Sequence, residues 1–286
     1  MRQKMRLAAR FFSLLGASLV RHDLPALSAR ICFYAMFSLF PLLLLVIYGT
    51  TRIVPHLQIE SLLLRMMQPY YPDVSDANSF IKRSIQSLAA AGGKIPLFSF
   101  AILAWSAGSA FIAVQQAMDI IFEVQQQRNF FARRLISFAM LVLLIILAVI
   151  SSFALAFYPA FVHRISAGTV FSHWVPLLHG ISRILYPFSL FVTCFIFYRF
   201  LPSRRTENYS VLIGALTATV ALDLARTGFV IYAAHLVTYH FIYGGLTVVM
   251  LLILWLYIAS IMLLFGAEIA ASLERFGRLA VKPAVE

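Results

Sequence analysis

Long apolar blocks constrain this chain more than any other feature of its sequence. Six blocks of about 20 residues or more carry few charges and lie near residues 31–54, 95–122, 135–159, 181–201, 209–233 and 243–271. A helix of that length crosses the hydrocarbon core of a bilayer, and it satisfies its own backbone hydrogen bonds there. The sequence therefore predicts an all-α membrane protein, a bundle of six transmembrane helices.

The composition leaves no room for a soluble domain beside these blocks. The chain of 286 residues is 62% hydrophobic and 12% charged, whereas average soluble proteins are about 25% charged. We therefore expect one membrane domain over residues 1–286. Both cysteines, Cys32 and Cys194, lie inside apolar blocks, so we expect neither a disulfide framework nor a metal site, and no cofactor.

The N-terminal segment, residues 1–30, is basic and has apolar residues near helical spacing. The apolar positions are Phe11, Leu14, Leu15 and Leu19. Such a pattern favours an amphipathic helix that lies in the membrane interface. The alternative is a mobile basic tail.

The distribution of Lys and Arg predicts the orientation in the membrane. If the N-terminus is cytoplasmic, 15 of the 23 basic residues lie in inside segments, seven lie outside, and Arg226 lies within the fifth block. Cytoplasmic loops carry such an excess, so both termini, including a tail over residues 273–286, are predicted to be cytoplasmic. The same bias explains the net charge of +12 without a nucleic-acid partner. The longest connection, residues 55–94, would be an external loop with short amphipathic helices.

The fifth block is unusual because it carries two charges, Asp223 and Arg226, in its apolar middle. They can pair on one helix, and Thr219 and Thr227 fall on the same face. A charge at the bilayer centre costs at least about 2.5–3.5 kcal/mol, so this face must meet protein or water. The face then lines a cavity that serves as a proton or anion site, or the pair is a buried lock against a neighbouring helix.

Polar residues on the first and second blocks extend this argument. They share one face of each predicted helix, and they are Tyr34 and Ser38 on the first block and Ser109, Gln116 and Asp119 on the second. Pro41 removes a backbone hydrogen bond and predicts a kink in the first helix. Together these faces predict a central cavity, although they would equally suit a hydrogen-bonded bundle core.

A stripe of small residues occupies another face of the fifth block. Its members are Gly214, Ala218, Ala221, Ala225 and Gly228. Small residues let helix backbones approach closely in a membrane, so this face predicts tight packing against a neighbouring helix.

Several segments, in order along the chain, resemble one family of bacterial inner-membrane proteins, the YihY/BrkB family. They include FYAMFSLFP, WSAGSAFIAVQQAMDIIFEV, LIGALTATVALDLARTGF and FIYGGLTVVMLLILWLYIASIMLLFGAE. The chain has FGAE where the family usually has LGAE. The most specific motif residues are Tyr243, Gly244, Gly245, Trp255, Gly266 and Glu268.

The resemblance implies a multi-pass protein of the bacterial inner membrane. The family has been linked to virulence, to serum resistance and to transport of lipopolysaccharide precursors, and it once carried the label ribonuclease BN. The residues argue against a nuclease, because the seven histidines are scattered and form no HxH or HxxxH set with a carboxylate, as a metal-dependent nuclease would need. We therefore expect no enzymatic activity.

Two hypotheses for the function remain at this level. The first is a transporter or flippase that moves an amphipathic anionic lipid or envelope precursor through a polar cavity between helices. The second is a non-catalytic scaffold or assembly factor for the cell envelope, in which the charges only lock the packing. The expected partners are membrane lipids and either a second copy of the chain or another envelope protein.

Overall fold

The chain forms helices throughout the part that the computed structural model describes, residues 13–53, 105–147, 175–236 and 245–281 and the single residues 83 and 102. Within these ranges no strand occurs, which confirms the prediction of an all-α protein. The helices in chain order are α1 (residues 13–21), α2 (Leu24–Ile53), α3 (Ser109–Ile121), α4 (Phe130–Leu147), α5 (Val175–Phe200), α6 (Asn208–Leu236) and α7 (Gly245–Val281).

Among the described residues, three helices are long and apolar enough to cross a membrane by length and composition. These spans are Phe130–Leu147, Asn208–Ala234 and Leu246–Arg278, and shorter apolar segments are Leu24–Leu39 and Pro187–Phe200. They correspond to five of the six predicted blocks, and α3 is the described part of the remaining one. The count of six spans and the cytoplasmic termini stay predictions. The predicted external loop at 55–94 lies outside the described residues, apart from residue 83.

The N-terminal segment is helical over residues 13–21, as its amphipathic pattern predicts. Leu15 and Ser18 are buried, whereas Val20 is exposed, so one face of α1 packs on the bundle. The helix is separated from α2 by Asp23, which has a φ of 46° and accepts a hydrogen bond on Oδ1 from the Ala26 amide at 3.4 Å. Asp adopts this left-handed conformation more readily than most residues.

Helices α6 and α7 approach each other closely along their backbones. A Cβ atom added to Gly214 would lie 2.6 Å from the Gly266 carbonyl oxygen, and one added to Gly266 would lie 2.5 Å from Ala218 Cβ. Real Cβ atoms do not approach backbone or other Cβ atoms so closely, so both glycines are needed for this packing. The part of the small-residue stripe at Gly214 and Ala218 therefore lies at a helix interface.

The remaining part of the stripe, from Ala221 to Gly228, has different surroundings. Ala221 and Ala225 are half-buried, and Gly228 is exposed, with nothing within 4 Å of an added Cβ. Close packing of α6 on α7 therefore holds at Gly214 and Ala218, and the structure does not place Gly228 in a contact of that kind.

In the described part of the chain, the ion pairs that join different helices and loops lie at one end of the bundle, which we call the basic end. It is formed by α1, the turn 122–129, the loop 201–207 and the last turns of α7 from residue 265. In α7 this end contains the buried residues Gly266, Ala267, Glu268, Ala270, Ala271, Ser272 and Glu274. At about 1.5 Å per residue, the 37 residues of α7 exceed a bilayer core of about 30 Å, so we expect part of this helix to extend beyond the hydrocarbon.

Candidate functional site

The charged pair of α6 lies near the middle of the span Asn208–Ala234. Arg226 Nη2 donates a hydrogen bond to Asp223 Oδ1 at 3.2 Å. The side chains are 43% exposed for Asp223 and 28% exposed for Arg226. Helix packing in the described part of the chain therefore does not enclose this pair.

The two threonines on the same face are bonded to their own helix. Thr219 Oγ1 donates to the Ala215 carbonyl at 2.8 Å, and Thr227 Oγ1 donates to the Asp223 carbonyl at 3.0 Å. Thr219 is buried and Thr227 is exposed. Each hydroxyl uses its only hydrogen within the helix, so it can offer an outside group only its oxygen lone pairs.

The side chains of α7 at the same level are only partly buried. No residue from Val249 to Ala259 is buried; each is at least partly exposed. Three turns of a helix packed by neighbours would present a buried stripe. The rings of Trp255 on α7 and Phe229 on α6 have centroids 5.1 Å apart, so the two helices meet through aromatic side chains here and through backbone near Gly266.

Two of the polar residues predicted on the second span, Gln116 and Asp119, lie in the part of α3 near the basic end. Gln116 Oε1 accepts a hydrogen bond from Arg30 at 2.6 Å, and both Asp119 carboxylate oxygens accept bonds from Ser203, one from the amide and one from the hydroxyl, each at 2.7 Å. Asp223 is 15 residues beyond the first residue of α6, Asn208, or about 22 Å along the helix. Asp119 is therefore tied to the loop that precedes α6, away from the Asp223 level.

The polar residues predicted on the first span, Tyr34 and Ser38, make their contacts within α2. Tyr34 is exposed and packs edge to face on Phe33, at 5.6 Å between ring centroids. Ser38 is buried and donates to the Ala35 carbonyl at 3.0 Å. Pro41 lies inside a helix that continues to Ile53, and its kink stays a prediction. Ser109 is the first residue of α3 and is half-buried.

A buried carboxylate, Glu268, organises the basic end. Its Oε2 lies 2.8 Å from His22 Nδ1 and its Oε1 accepts a hydrogen bond from Arg275 Nη2 at 2.6 Å. Arg275 also donates from Nη1 to Glu123 at 3.0 Å, and Arg21 pairs with the same Glu123 oxygen. This network joins α1, the end of α3 and α7 through two carboxylates, two arginines and one histidine.

A second network surrounds Glu274, which is also buried. Its Oε1 pairs with Arg204 Nη1 at 3.1 Å and with Arg278. Burial lowers the pKa of Arg204, and the nearby Glu274 charge acts in the opposite direction. Arginine is so strongly basic that the lowered pKa leaves its charge in place, so the loop 201–207 is held to α7 by an ion pair.

The turn 122–129 is tied to the end of α5 by Arg128. Its Nη1 donates to the carbonyl oxygens of Phe200 at 3.2 Å and Leu201 at 2.9 Å. A cation near the C-terminus of a helix meets both the unsatisfied carbonyls and the negative end of the helix dipole. Burial lowers the pKa of Arg128, and the nearby Asp119 charge opposes this shift only in part.

The sequence predicted too little of this end. The sequence marks Glu268 only as a motif residue, and the structure places it fully buried between Arg275 and His22. The sequence does not indicate a role for His22, because it is 246 residues from Glu268 and no local spacing connects the two. Among the other motif residues, Gly245 begins α7, Trp255 contacts Phe229, and Gly266 contacts Gly214; Tyr243 and Gly244 lie outside the described residues.

The described chain contains long apolar helices that carry few charges. These helices, and relatives that are named as membrane proteins, define an integral membrane protein of the all-helical class. The chain belongs to the virulence factor BrkB family, whose family model matches residues 16–284. This confirms the resemblance found in the sequence. No solved structure is similar enough to match the chain.

Several curated relatives are named as membrane proteins. The chain is 31% identical over 185 residues to a UPF0761 membrane protein of Chlorobium chlorochromatii, covering 64% of this chain and 41% of the relative. It is 26% identical over 214 residues to a UPF0761 membrane protein of Aliivibrio fischeri, covering 74% and 66%. The chain thus spans about two fifths of the Chlorobium relative and about two thirds of the Aliivibrio one.

One relative has a different kind of name. The ribonuclease-like protein YfkH of Bacillus subtilis is 24% identical over 265 residues, covering 90% of this chain and 93% of the relative. That name describes the relative and assigns no activity to this chain. In the ranges that the structure describes, no three His, Cys, Asp or Glu side chains come together in a way that could hold a metal ion.

Proposed function

We propose that this protein transports an amphipathic anionic lipid or envelope precursor across the bacterial inner membrane, through a polar opening beside α6. The observation that carries the proposal is the partial exposure of Asp223 and Arg226 in the middle of an apolar span. An ion pair at that depth is stabilised by water or by a polar headgroup, because hydrocarbon would leave its charges poorly solvated.

The surroundings of the pair support such an opening. No residue from 249 to 259 of α7 is fully buried, so neighbouring side chains cover this part of the helix only in part. On α6, the exposed Leu216, Val220 and Leu224 form an apolar surface at helical spacing, which would face lipid. Arg226 would then bind the phosphate or carboxylate of the substrate, while Asp223 would hold the guanidinium when no substrate is bound.

The proposal is tested with purified protein in liposomes that contain fluorescent phosphatidylglycerol. We compare wild type with the double variant Asp223→Asn, Arg226→Gln, and with Leu224→Ala, a control on the exposed apolar face of α6. Loss of a charge-assisted hydrogen bond should slow movement between leaflets about tenfold or more in the double variant, and the control should match wild type. Wild-type protein that moves no labelled lipid, or a folded double variant as fast as wild type, would contradict the proposal.

A scaffold function is the second candidate, and the close contact of Gly214 with Gly266 favours it. In that case the rigid basic end would be the functional part, and it would hold another envelope protein or a second copy of the chain. A scaffold should keep its cellular function after the charges at 223 and 226 are neutralised, and should lose it when Gly214 is replaced by Leu. Complementation of a deletion strain by the two variants therefore separates the candidates.

The proposed location is the inner membrane with both termini in the cytoplasm. It is supported by the excess of Lys and Arg in alternate connections. The basic end would then face the cytoplasm.

A further inference from the structure

The N-terminus of α4 combines several positive groups. The first intrahelical hydrogen bond runs from the Arg133 amide to the Asn129 carbonyl at 2.9 Å, so the amides of residues 130–132 have no acceptor within the helix. The helix dipole adds a partial positive charge at the same end. Arg133 and Arg134 follow within the first two turns.

Arg134 supplies an independent observation, because its charge is buried without an acceptor. The residue is only 8% exposed. Its Nε and Nη1 atoms are buried and have no hydrogen-bond partner, and no carboxylate in the described ranges pairs with it. A buried charged donor without an acceptor is costly, so this guanidinium is arranged to receive an anion.

An aromatic ring holds the guanidinium in position. The centre of the Arg134 guanidinium lies 3.7 Å from the centroid of the Trp105 ring, a cation–π contact. The Trp105 ring also lies 5.9 Å from the ring of Phe130, the first residue of α4. Arg134 therefore reaches back toward the helix N-terminus, as side chains on helices do.

Two large apolar side chains next to the arginines are exposed. Phe131 is 84% exposed and Leu135 is 71% exposed, one on each side of the arginines in the sequence. Exposed aromatic and aliphatic side chains beside buried positive charge match an anionic phospholipid, whose phosphate is polar and whose acyl chains are apolar. A free phosphate ion would use the charge but not the apolar surface.

We propose that the N-terminus of α4 with Arg134 binds the phosphate of an anionic phospholipid headgroup, in the leaflet on the side of the basic end. Phe131 and Leu135 contact the acyl chains, and the headgroup oxygens accept hydrogen bonds from the guanidinium and the free amides. This site is separate from Asp223 and Arg226, and it does not depend on lipid transport.

Binding is measured by native mass spectrometry of the full-length protein in detergent, with phosphatidylglycerol and phosphatidylcholine in competition. Wild type should retain phosphatidylglycerol in preference. Arg134→Gln should weaken that retention about tenfold, the effect of one charge-assisted hydrogen bond. The matched control is Arg205→Gln, which removes the same charge from an exposed position in the loop 201–207.

A second measurement separates the two sources of phosphate and guards against a variant that does not fold. Thermal unfolding of wild type is followed with added phosphatidylglycerol and, in a separate sample, with inorganic phosphate. Stabilisation by the lipid that inorganic phosphate does not reproduce supports the proposal. Equal stabilisation by phosphate alone, no preference for phosphatidylglycerol over phosphatidylcholine in wild type, or an unchanged preference in folded Arg134→Gln would overturn it.

Discussion

Glu268 shows how one residue can connect distant parts of this chain. Its carboxylate is fully buried and contacts His22, in the turn after α1, and Arg275 from its own helix. A buried ion pair does not by itself favour folding, because desolvation offsets much of the attraction. Removing one partner is different, since it leaves the other charge buried and uncompensated.

Glu268→Ala should destabilise the protein by about 1–3 kcal/mol, because the buried His22 and the partly buried Arg275 each lose a hydrogen-bond partner while Arg275 keeps its ion pair with Glu123. Thermal unfolding of purified protein in detergent measures the effect. Glu207→Ala is the control, because Glu207 is exposed at the start of α6 and its loss should change stability by less than about 0.5 kcal/mol. Equal unfolding temperatures for the two variants would show that the Glu268 network adds nothing to stability.

At the scale of elements, two glycines allow α6 and α7 to meet along their backbones. The contact lies near the basic end, where Tyr198 of α5 donates to the Leu263 carbonyl at 2.5 Å. The hydroxyl of the same tyrosine lies 2.6 Å from the position of a Cβ added to Gly266. Three helices therefore converge on one small site that has no space for a further methyl group.

Gly266→Ala should destabilise the protein by about 1–3 kcal/mol, the usual cost of overpacking. Gly228→Ala is the matched control, since an added Cβ there meets nothing within 4 Å and alanine is the better helix former by about 1 kcal/mol. The unfolding temperature should fall for the first variant and stay equal or rise for the second. A fall of equal size in both would contradict the close packing at Gly266.

At the scale of the whole molecule, the ion pairs that join helices and loops in the described part of the chain are concentrated at one end. The basic end holds the charged networks, while the middle of α7 has no buried stripe. The proposed orientation places the basic end at the cytoplasmic surface.

Cysteine labelling in whole cells tests that orientation. In a chain without Cys32 and Cys194, we expect Arg205→Cys in the loop 201–207 to react with a membrane-impermeant maleimide only after the cells are opened. Ser75→Cys, in the predicted external loop, should react without opening the inner membrane. The reverse pattern would invert the orientation, and reaction of both positions in intact cells would contradict six spans with cytoplasmic termini.

The residues predicted for the candidate site illustrate what sequence patterns can and cannot supply. Asp223, Arg226 and Thr227 share a helix face because their spacing alone determines it. Asp119 shares a polar stripe with Gln116 by the same rule, yet it bonds to Ser203, 84 residues away. Helical periodicity says which residues share a face, but not which neighbouring helix or loop that face meets.

The sequence by itself determined the class of protein, because the need for hydrogen-bonded backbone in hydrocarbon acts locally on each apolar block. It also determined the family and the polar face of α6. Only the tertiary structure decided which charges meet, such as His22 with Glu268, and which glycines are needed for close approach. Those contacts join residues far apart in the chain, and they depend on how helices pack against each other, which no local spacing encodes.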